Sequence, residues 1–332
     1  MDRLEQLRRW LEGILAGGDF RLTRASDDAS FRRYFRVHRG GGQAPLVAMD
    51  APTDKEDCRP FVKIARLFAD ADVHVPAIHA HDFEQGFLLL SDLGDTTYLD
   101  ALDASNAAQL YGDALETLLR IQRASRTGVL PDYSRELLER ELRLFPDWYV
   151  ARQLRRDLDA RQREALEDSF SLLLANNLAQ PRVFVHRDYH SRNLMACEPR
   201  PGILDFQDAV YGPITYDLVS LLRDAYIAWE EERVIDWAIN YWERARRAGL
   251  PVAGDFAEFY RDFEWMGAQR QLKVLGIFAR LSYRDGKDAY LKDQPLVMRY
   301  LRRCCERYGE LTPLARLLDE LEPSQSRVGH TF

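Results

Sequence analysis

The chain has 332 residues, 46% hydrophobic and 30% charged, the profile of a soluble globular protein long enough for two lobes with separate cores. A formal net charge of −7 removes any electrostatic case for a nucleic-acid partner. The N-terminus, MDRLEQLRRWLEGILAGG, is charged throughout and unlike a signal peptide, no apolar run approaches the length of a membrane span, and four scattered cysteines form neither a disulfide framework nor a zinc pattern, so a cytoplasmic protein without a membrane partner is expected.

In chain order, Leu4, Leu7, Trp10, Leu11, Ile14 and Leu15 recur at helical spacing up to Gly17-Gly18, which predicts an amphipathic helix docked on a core. Residues 20–37 read as two strands around a turn at 26–30, and Gly40-Gly41-Gly42 as the turn into a third strand, Leu46 to Asp50. A helix is expected over 57–71, with Phe61, Ile64, Ala65 and Phe68 on its apolar face. Strands are expected at 73–78 and 87–90, followed by a polar break, Ser91-Asp92-Leu93-Gly94-Asp95, with Asp95 or Thr96 as the cap of the next helix. From Leu99 the periodicity is helical, with apolar stripes over 110–122, 136–144 and 166–178. Asp255 and Glu258 make a capping box for a long helix whose apolar stripe runs from Phe256 to Leu281.

The chemistry is concentrated in VFVHRDYHSRNLMACEPRPGILDFQDAVYGPITYD, residues 183–217. A β-branched run delivers the chain to His186-Arg187-Asp188, Asn193 follows five residues after Asp188, and a hairpin of 194–197 and 203–204 returns Asp205 beside Asn193. Phosphoryl transfer asks for a carboxylate that orients and deprotonates an acceptor hydroxyl, and for oxygen ligands that hold a metal on the phosphates. Asp188 fits the base; Asn193 and Asp205 fit the ligands of Mg²⁺, which needs few protein oxygens. A polar hairpin beside an unrelated acidic loop is the bland alternative. No Walker G-x-x-x-x-G-K is present, against a nucleotide kinase of the β-sheet NTPase type.

HRDYHSRN followed by ILDFQD resembles the catalytic and metal loops of the aminoglycoside phosphotransferase and choline kinase branch of the kinase-like fold. Within that branch SDDASFRRYFRV, LVAMDAP, LLLSDLGDTTYLD, GPITYDLVSLLRDAY and GAQRQLKVLGIFARL resemble the anomeric kinases of N-acetylmuramate and N-acetylglucosamine from bacterial cell-wall recycling. The resemblance implies an α+β, bilobal protein-kinase-like fold: a small, mainly antiparallel β N-lobe over 1–92 and a larger, mainly helical C-lobe over 93–332. ATP and an amino sugar are the implied substrates, with Mg²⁺ as cofactor.

For the nucleotide, the resemblance implies a phosphate-covering hairpin with Ser30 and Arg32 or Arg33, and an adenine-facing linker at Ser91, Asp92 and Leu93. An ordinary two-faced strand would also explain both arginines. For the sugar, His190, Asp208, Gln269 and Arg270 are candidates, Arg270 offering a fork for a carboxylate; a braced loop and a solvated helix face are the plain alternatives. His186 and Asp217 are expected to brace the catalytic loop. One departure stands out: the strand that ends in a phosphate-holding Lys in many such kinases ends here in Met49-Asp50. Arg32, Arg33, Lys55 and Lys63 are the candidate substitutes. Kinases of aminoglycosides, choline or homoserine are the alternative enzymes, and a nucleotide-binding pseudokinase the alternative from another class.

Overall fold

The computed structural model describes residues 2–15, 19–26 and 31–322. In chain order its helices are α1 (Arg3–Ile14), α2 (Arg59–Ala69), α3 (Tyr98–Ala101), α4 (Ala107–Arg123), α5 (Arg135–Leu144), α6 (Ala160–Ala179), α7 (Tyr216–Leu222), α8 (Glu231–Arg247), α9 (Phe256–Asp285), α10 (Gln294–Arg307) and α11 (Thr312–Leu321). The strands are β1 (Phe20–Ser26), β2 (Arg33–Arg39), β3 (Leu46–Asp50), β4 (Ile78–Asp82), β5 (Phe87–Ser91), β6 (Arg182–Val185), β7 (Leu194–Met195), β8 (Gly202–Ile203) and β9 (Val210–Pro213). Contacts group them into two compact units: Met1–Arg120 with Arg192–Ala209, and Ile121–Ser191 with Val210–Phe332. No described helix is long and apolar enough to cross a membrane.

The first unit is built on an antiparallel sheet in the order β1-β2-β3-β5-β4. The i, i+4 pair Leu7 and Leu11 of α1 is fully buried in a cluster with Val37, Leu46, Ala48, Phe87 and Leu89 of β2, β3 and β5. The expected docking of that helix is therefore observed, and its apolar stripe is the reason. Gly41 and Gly42 turn β2 into β3 with φ of 70° and 71°, a region open to Gly at little cost. The strand expected at 73–78 begins only at Ile78. Pro76 lacks a ladder donor, and the carbonyl of His74 accepts instead from Ile203 N–H of the β7–β8 hairpin at 2.8 Å. Thr97, not Asp95 or Thr96, caps α3, closing a capping box with Asp100. The β7–β8 hairpin pairs over two residues a side, shorter than its sequence suggests.

In the second unit β6 and β9 form an antiparallel pair and the 30-residue α9 runs among α5, α6, α7 and α10. Asp255 caps α9, accepting from the backbone N–H of Ala257 and Glu258. At Gly276 the absent side chain matters: a Cβ there would meet the backbone of Leu144 at 2.3–2.4 Å, so α9 and α5 touch backbone to backbone. The polar set Gln269, Arg270 and Lys273 is not a solvated face, for α9 is covered on every side there and the three are 0%, 4% and 6% exposed.

Candidate active site

In the second unit the buried strand residues Val183, Phe184 and Val185 carry the chain into His186-Arg187-Asp188. Asp217, wholly buried in the first turn of α7, receives the backbone N–H of His186 at 2.6 Å and of Arg187 at 3.0 Å. Burial pushes its carboxyl up to about 7, against the pull of those two donors. Arg187 sits at φ 78°, a conformation that costs a bulky residue roughly 1–3 kcal/mol and persists only where the surroundings impose it. His186 Nδ1 accepts from the N–H of Asp188 at 3.2 Å. Asp224, also buried, receives the N–H of Ser191 at 2.8 Å and of Tyr226 at 3.0 Å. The loop is thus clamped at both ends by carboxylates that take backbone donors, while Asp188 itself stays half-buried.

Beneath the loop lies a buried charge cluster. Glu141 of α5 takes Arg187 Nη2 at 2.6 Å and Lys273 Nζ at 3.0 Å; Tyr133 donates its hydroxyl to the same carboxylate, and Gln269 Nε2 approaches it at 3.4 Å. Lys273 Nζ also donates to the Tyr216 hydroxyl at 2.9 Å. Burial pushes the Asp188 carboxyl up, yet the positive charges of Lys273, His190, Arg187 and Arg270 outweigh it and hold Asp188 below the ordinary carboxylate range. An ionised Asp188 presents an acceptor to a hydroxyl and takes its proton only as the oxygen bonds elsewhere. His190 packs ring-edge against Tyr226, centroids 5.5 Å apart.

In the first unit the β7–β8 ladder pairs Leu194 with Ile203, and Leu204 N–H donates to the Asn193 carbonyl at 2.9 Å. Asn193 therefore lies one residue from Asp205 across the hairpin. Asp205 takes φ 59°, unusual for a non-glycine residue, and Phe206 anchors it by packing on Phe61 and Phe68 of α2 at 4.7 and 5.9 Å. Its carboxylate accepts from Gln207 Nε2 at 2.7 Å and stands 3.8 Å from Arg32 Nη1. With its side chain 37% exposed beside an amide, this carboxylate fits a hard cation that keeps several waters.

The two hairpin arginines part company. Arg32 is half-buried against Glu56, which accepts at 3.1 Å, and near Asp205; burial opposes its charge, but Tyr34, Glu56 and Asp205 more than restore it. Arg33 lies opposite Asp50 in the β2–β3 register and donates to Asp50 Oδ2 at 3.0 Å, while Arg3 of α1 donates to Oδ1 at 2.9 and 2.7 Å. The acid at the strand's lysine place is thus fully buried and neutralised by two guanidiniums. Ser91 ties β5 to the preceding segment, its Oγ accepting from Ala77 N–H at 2.8 Å. Asp92 pairs with Arg36 and accepts from Gly94 N–H at 2.9 Å, and Leu93 is buried against Gly202. Asp208 is exposed in the turn after β8. Ser30 lies outside the described residues.

Sequence reasoning missed Glu141, Asp224 and Arg3. Glu141 left one trace, an acid on the same helical face as Leu138 and Leu142; Asp224 and Arg3 left none.

The model of the phosphotransferase enzyme family matches residues 21–256. The chain is 52% identical to an N-acetylmuramate/N-acetylglucosamine kinase of Neisseria meningitidis serogroup B, over 100% of each chain. It is 50% identical to the kinase of the same description from Pseudomonas putida, over 96% of this chain and 97% of that one. Among solved structures it is similar to choline kinase LicA from Streptococcus pneumoniae, with a TM-score of 0.61, 12% identity and coverage of 90% and 99%. The ADP-bound aminoglycoside phosphotransferase APH(2'')-Ib aligns with a TM-score of 0.58, 14% identity and coverage of 89% and 97%. At such identities these two share the kinase-like α+β fold.

Proposed function

The chain belongs to the phosphotransferase enzyme family, and within it we propose an ATP-dependent kinase of N-acetylmuramate and N-acetylglucosamine that acts on the anomeric (C1) hydroxyl. The observation that carries the substrate is the 52% identity to the Neisseria meningitidis kinase along the whole of both chains. Such an enzyme serves peptidoglycan recycling in the cytoplasm, with lobes over 1–92 and 93–332.

In this reading Asp188 accepts a hydrogen bond from the anomeric hydroxyl and aims its oxygen at the γ-phosphorus in line with the leaving group. The O–P bond forms, the bond from the γ-phosphorus to the bridging oxygen breaks, and the hydroxyl proton passes to Asp188 while ADP leaves. Asn193 and Asp205 are the residues to hold Mg²⁺, which when bound neutralises charge on the phosphates. Arg32, steadied by Glu56, is the phosphate contact we choose over Arg33, whose charge is given to Asp50, and Ser30 is proposed as a second phosphate contact. The backbone of Ser91, Asp92 and Leu93 faces the adenine. His190, Asp208 and Arg270 are the residues proposed to meet the sugar, with Gln269 supporting the site from its bond to Glu141.

The test is an assay with Mg-ATP and N-acetylmuramate, N-acetylglucosamine, choline and kanamycin, with ³¹P–¹H NMR on the product. A phosphate coupled to the anomeric proton of an amino sugar is expected. Phosphate on another hydroxyl or acceptor sinks the anomeric assignment and keeps the kinase. ATP binding without any transfer turns the protein into a pseudokinase.

A further inference from the structure

Buried cations in the second unit are consistently matched. Arg187 and Lys273 share Glu141 at 2.6 and 3.0 Å, and Arg223 holds Glu231 at 2.7 Å. Arg270 breaks the pattern. It is 4% exposed, it rises from the buried middle of α9, and among the described residues it makes no hydrogen bond and no ion pair. Its charge is felt by Asp188 and Asp217. Neither is a hydrogen-bonded partner, and Asp217 is already taken by the backbone N–H of His186 and Arg187.

A guanidinium carries five donors in a fixed fork and cannot shed its proton to escape burial. Holding such a group almost wholly out of solvent without an acceptor is costly, and a neutral side chain would fill the same place in the helix without that cost. The cost is recovered when a ligand supplies the acceptor. The partner a planar fork matches is a carboxylate or a phosphoryl group.

We propose that Arg270 is the receptor for an oxyanion brought to Asp188 by a bound substrate. Resting on the sugar-kinase reading, two sources share this chemistry: the lactyl carboxylate of N-acetylmuramate, and the phosphoryl group in transfer. N-acetylglucosamine lacks that carboxylate and is otherwise built alike, so the two sugars separate the sources.

The experiment measures kcat/KM for both sugars, and sugar affinity by calorimetry, in the wild type and in Arg270→Gln. Wild-type turnover of the sugars tests the kinase reading by itself; the variant tests Arg270. If the carboxylate is the occupant, the ratio of kcat/KM for N-acetylmuramate to that for N-acetylglucosamine falls about 10- to 100-fold, the range of a charge-assisted bidentate contact. If the phosphoryl group is the occupant, kcat falls alike for both sugars while their affinities hold. Kinetics and affinities unchanged for both sugars overturn the proposal. So does a loss of sugar affinity that is equal for both, since that marks a structural role. Should Arg270→Gln not fold, Arg270→Lys carries the test: it keeps the charge and loses the fork, and the same split is expected at about 10-fold.

Discussion

Arg3, at the start of α1, places two hydrogen bonds of 2.9 and 2.7 Å on one oxygen of Asp50, at the end of β3. The other oxygen belongs to Arg33, and the carboxylate is fully buried. The strand position where a lysine serves the nucleotide in many kinases has become a clasp for the N-terminal helix. Asp50→Asn strips one partner from a buried ion cluster, and a loss of about 3 kcal/mol is expected in urea unfolding, the low end for such a change because both arginines reach solvent. Asp50→Lys sets a third cation between two arginines and should destabilise further, with no gain in nucleotide affinity. A variant that unfolds like the wild type removes the clasp.

Asp188→Asn is expected to lower kcat about 10²- to 10⁴-fold, the usual worth of a positioned acid–base group. Binding of ADP, followed by calorimetry, should hardly change, since the substitution leaves the nucleotide contacts in place. Turnover close to the wild type would dismiss Asp188 as the base.

Arg32 and Arg33 are neighbours in sequence with opposite duties. Arg32→Gln should weaken binding of Mg-ADP by about tenfold or more, as expected for a lost charge-assisted phosphate contact. Arg33→Gln should instead shift the unfolding midpoint and keep nucleotide affinity within about threefold of the wild type. A fluorescent nucleotide titration decides, and the reverse ranking would hand the phosphate role to Arg33.

Glu231 predicts an acid limb in stability. Burial pushes its carboxyl up, but Arg223, the Tyr260 hydroxyl and Arg307 outweigh it and bring the group down to about 2. A folded-state pKa below the unfolded one, ordinarily about 4.3, means that the unfolded chain takes up the proton first. The pair's contribution is thus present above pH 4.5 and lost as the pH falls towards 2. The melting temperature of Glu231→Gln should lie below that of the wild type at pH 7, and the gap should close over this window. A gap independent of pH would mean that packing, not charge, is what Glu231 supplies.

Gly276→Ala pits two effects against each other. Alanine gains about 1 kcal/mol of helix propensity over glycine, but its Cβ would stand 2.3–2.4 Å from the backbone of Leu144, where no rotamer relieves the clash. Overpacking of that kind costs about 1–3 kcal/mol, so net destabilisation is expected in chemical unfolding. An alanine variant more stable than the wild type would show that α5 and α9 separate freely.

Much of the fold was legible because it is written locally. The stripe of Leu7 and Leu11, the alternation in β2 and the cap at Asp255 each follow from residues a few positions apart. The stretch at 73–78 was misread because its apolar content suited a strand, while Pro76 and the pairing of His74 with Ile203 decided otherwise. Gln269, Arg270 and Lys273 looked like a polar face, since periodicity says which residues share a side of a helix but not how many sides are covered.

The sequence by itself determined the family and its reaction type: Asp188, Asn193 and Asp205, the residues proposed as base and metal ligands, sit on two short loops, and the spacing of a loop is a covalent property of the chain. Tertiary structure alone decided where the charges go. Which of two adjacent arginines faces Asp205, why an acid survives in place of the lysine, and how Glu141 and Lys273 come to underlie Asp188 are settled by pairings between residues up to 173 positions apart. Coulomb energy and desolvation depend on distance and burial in space, and neither leaves a mark on the order of residues along the chain.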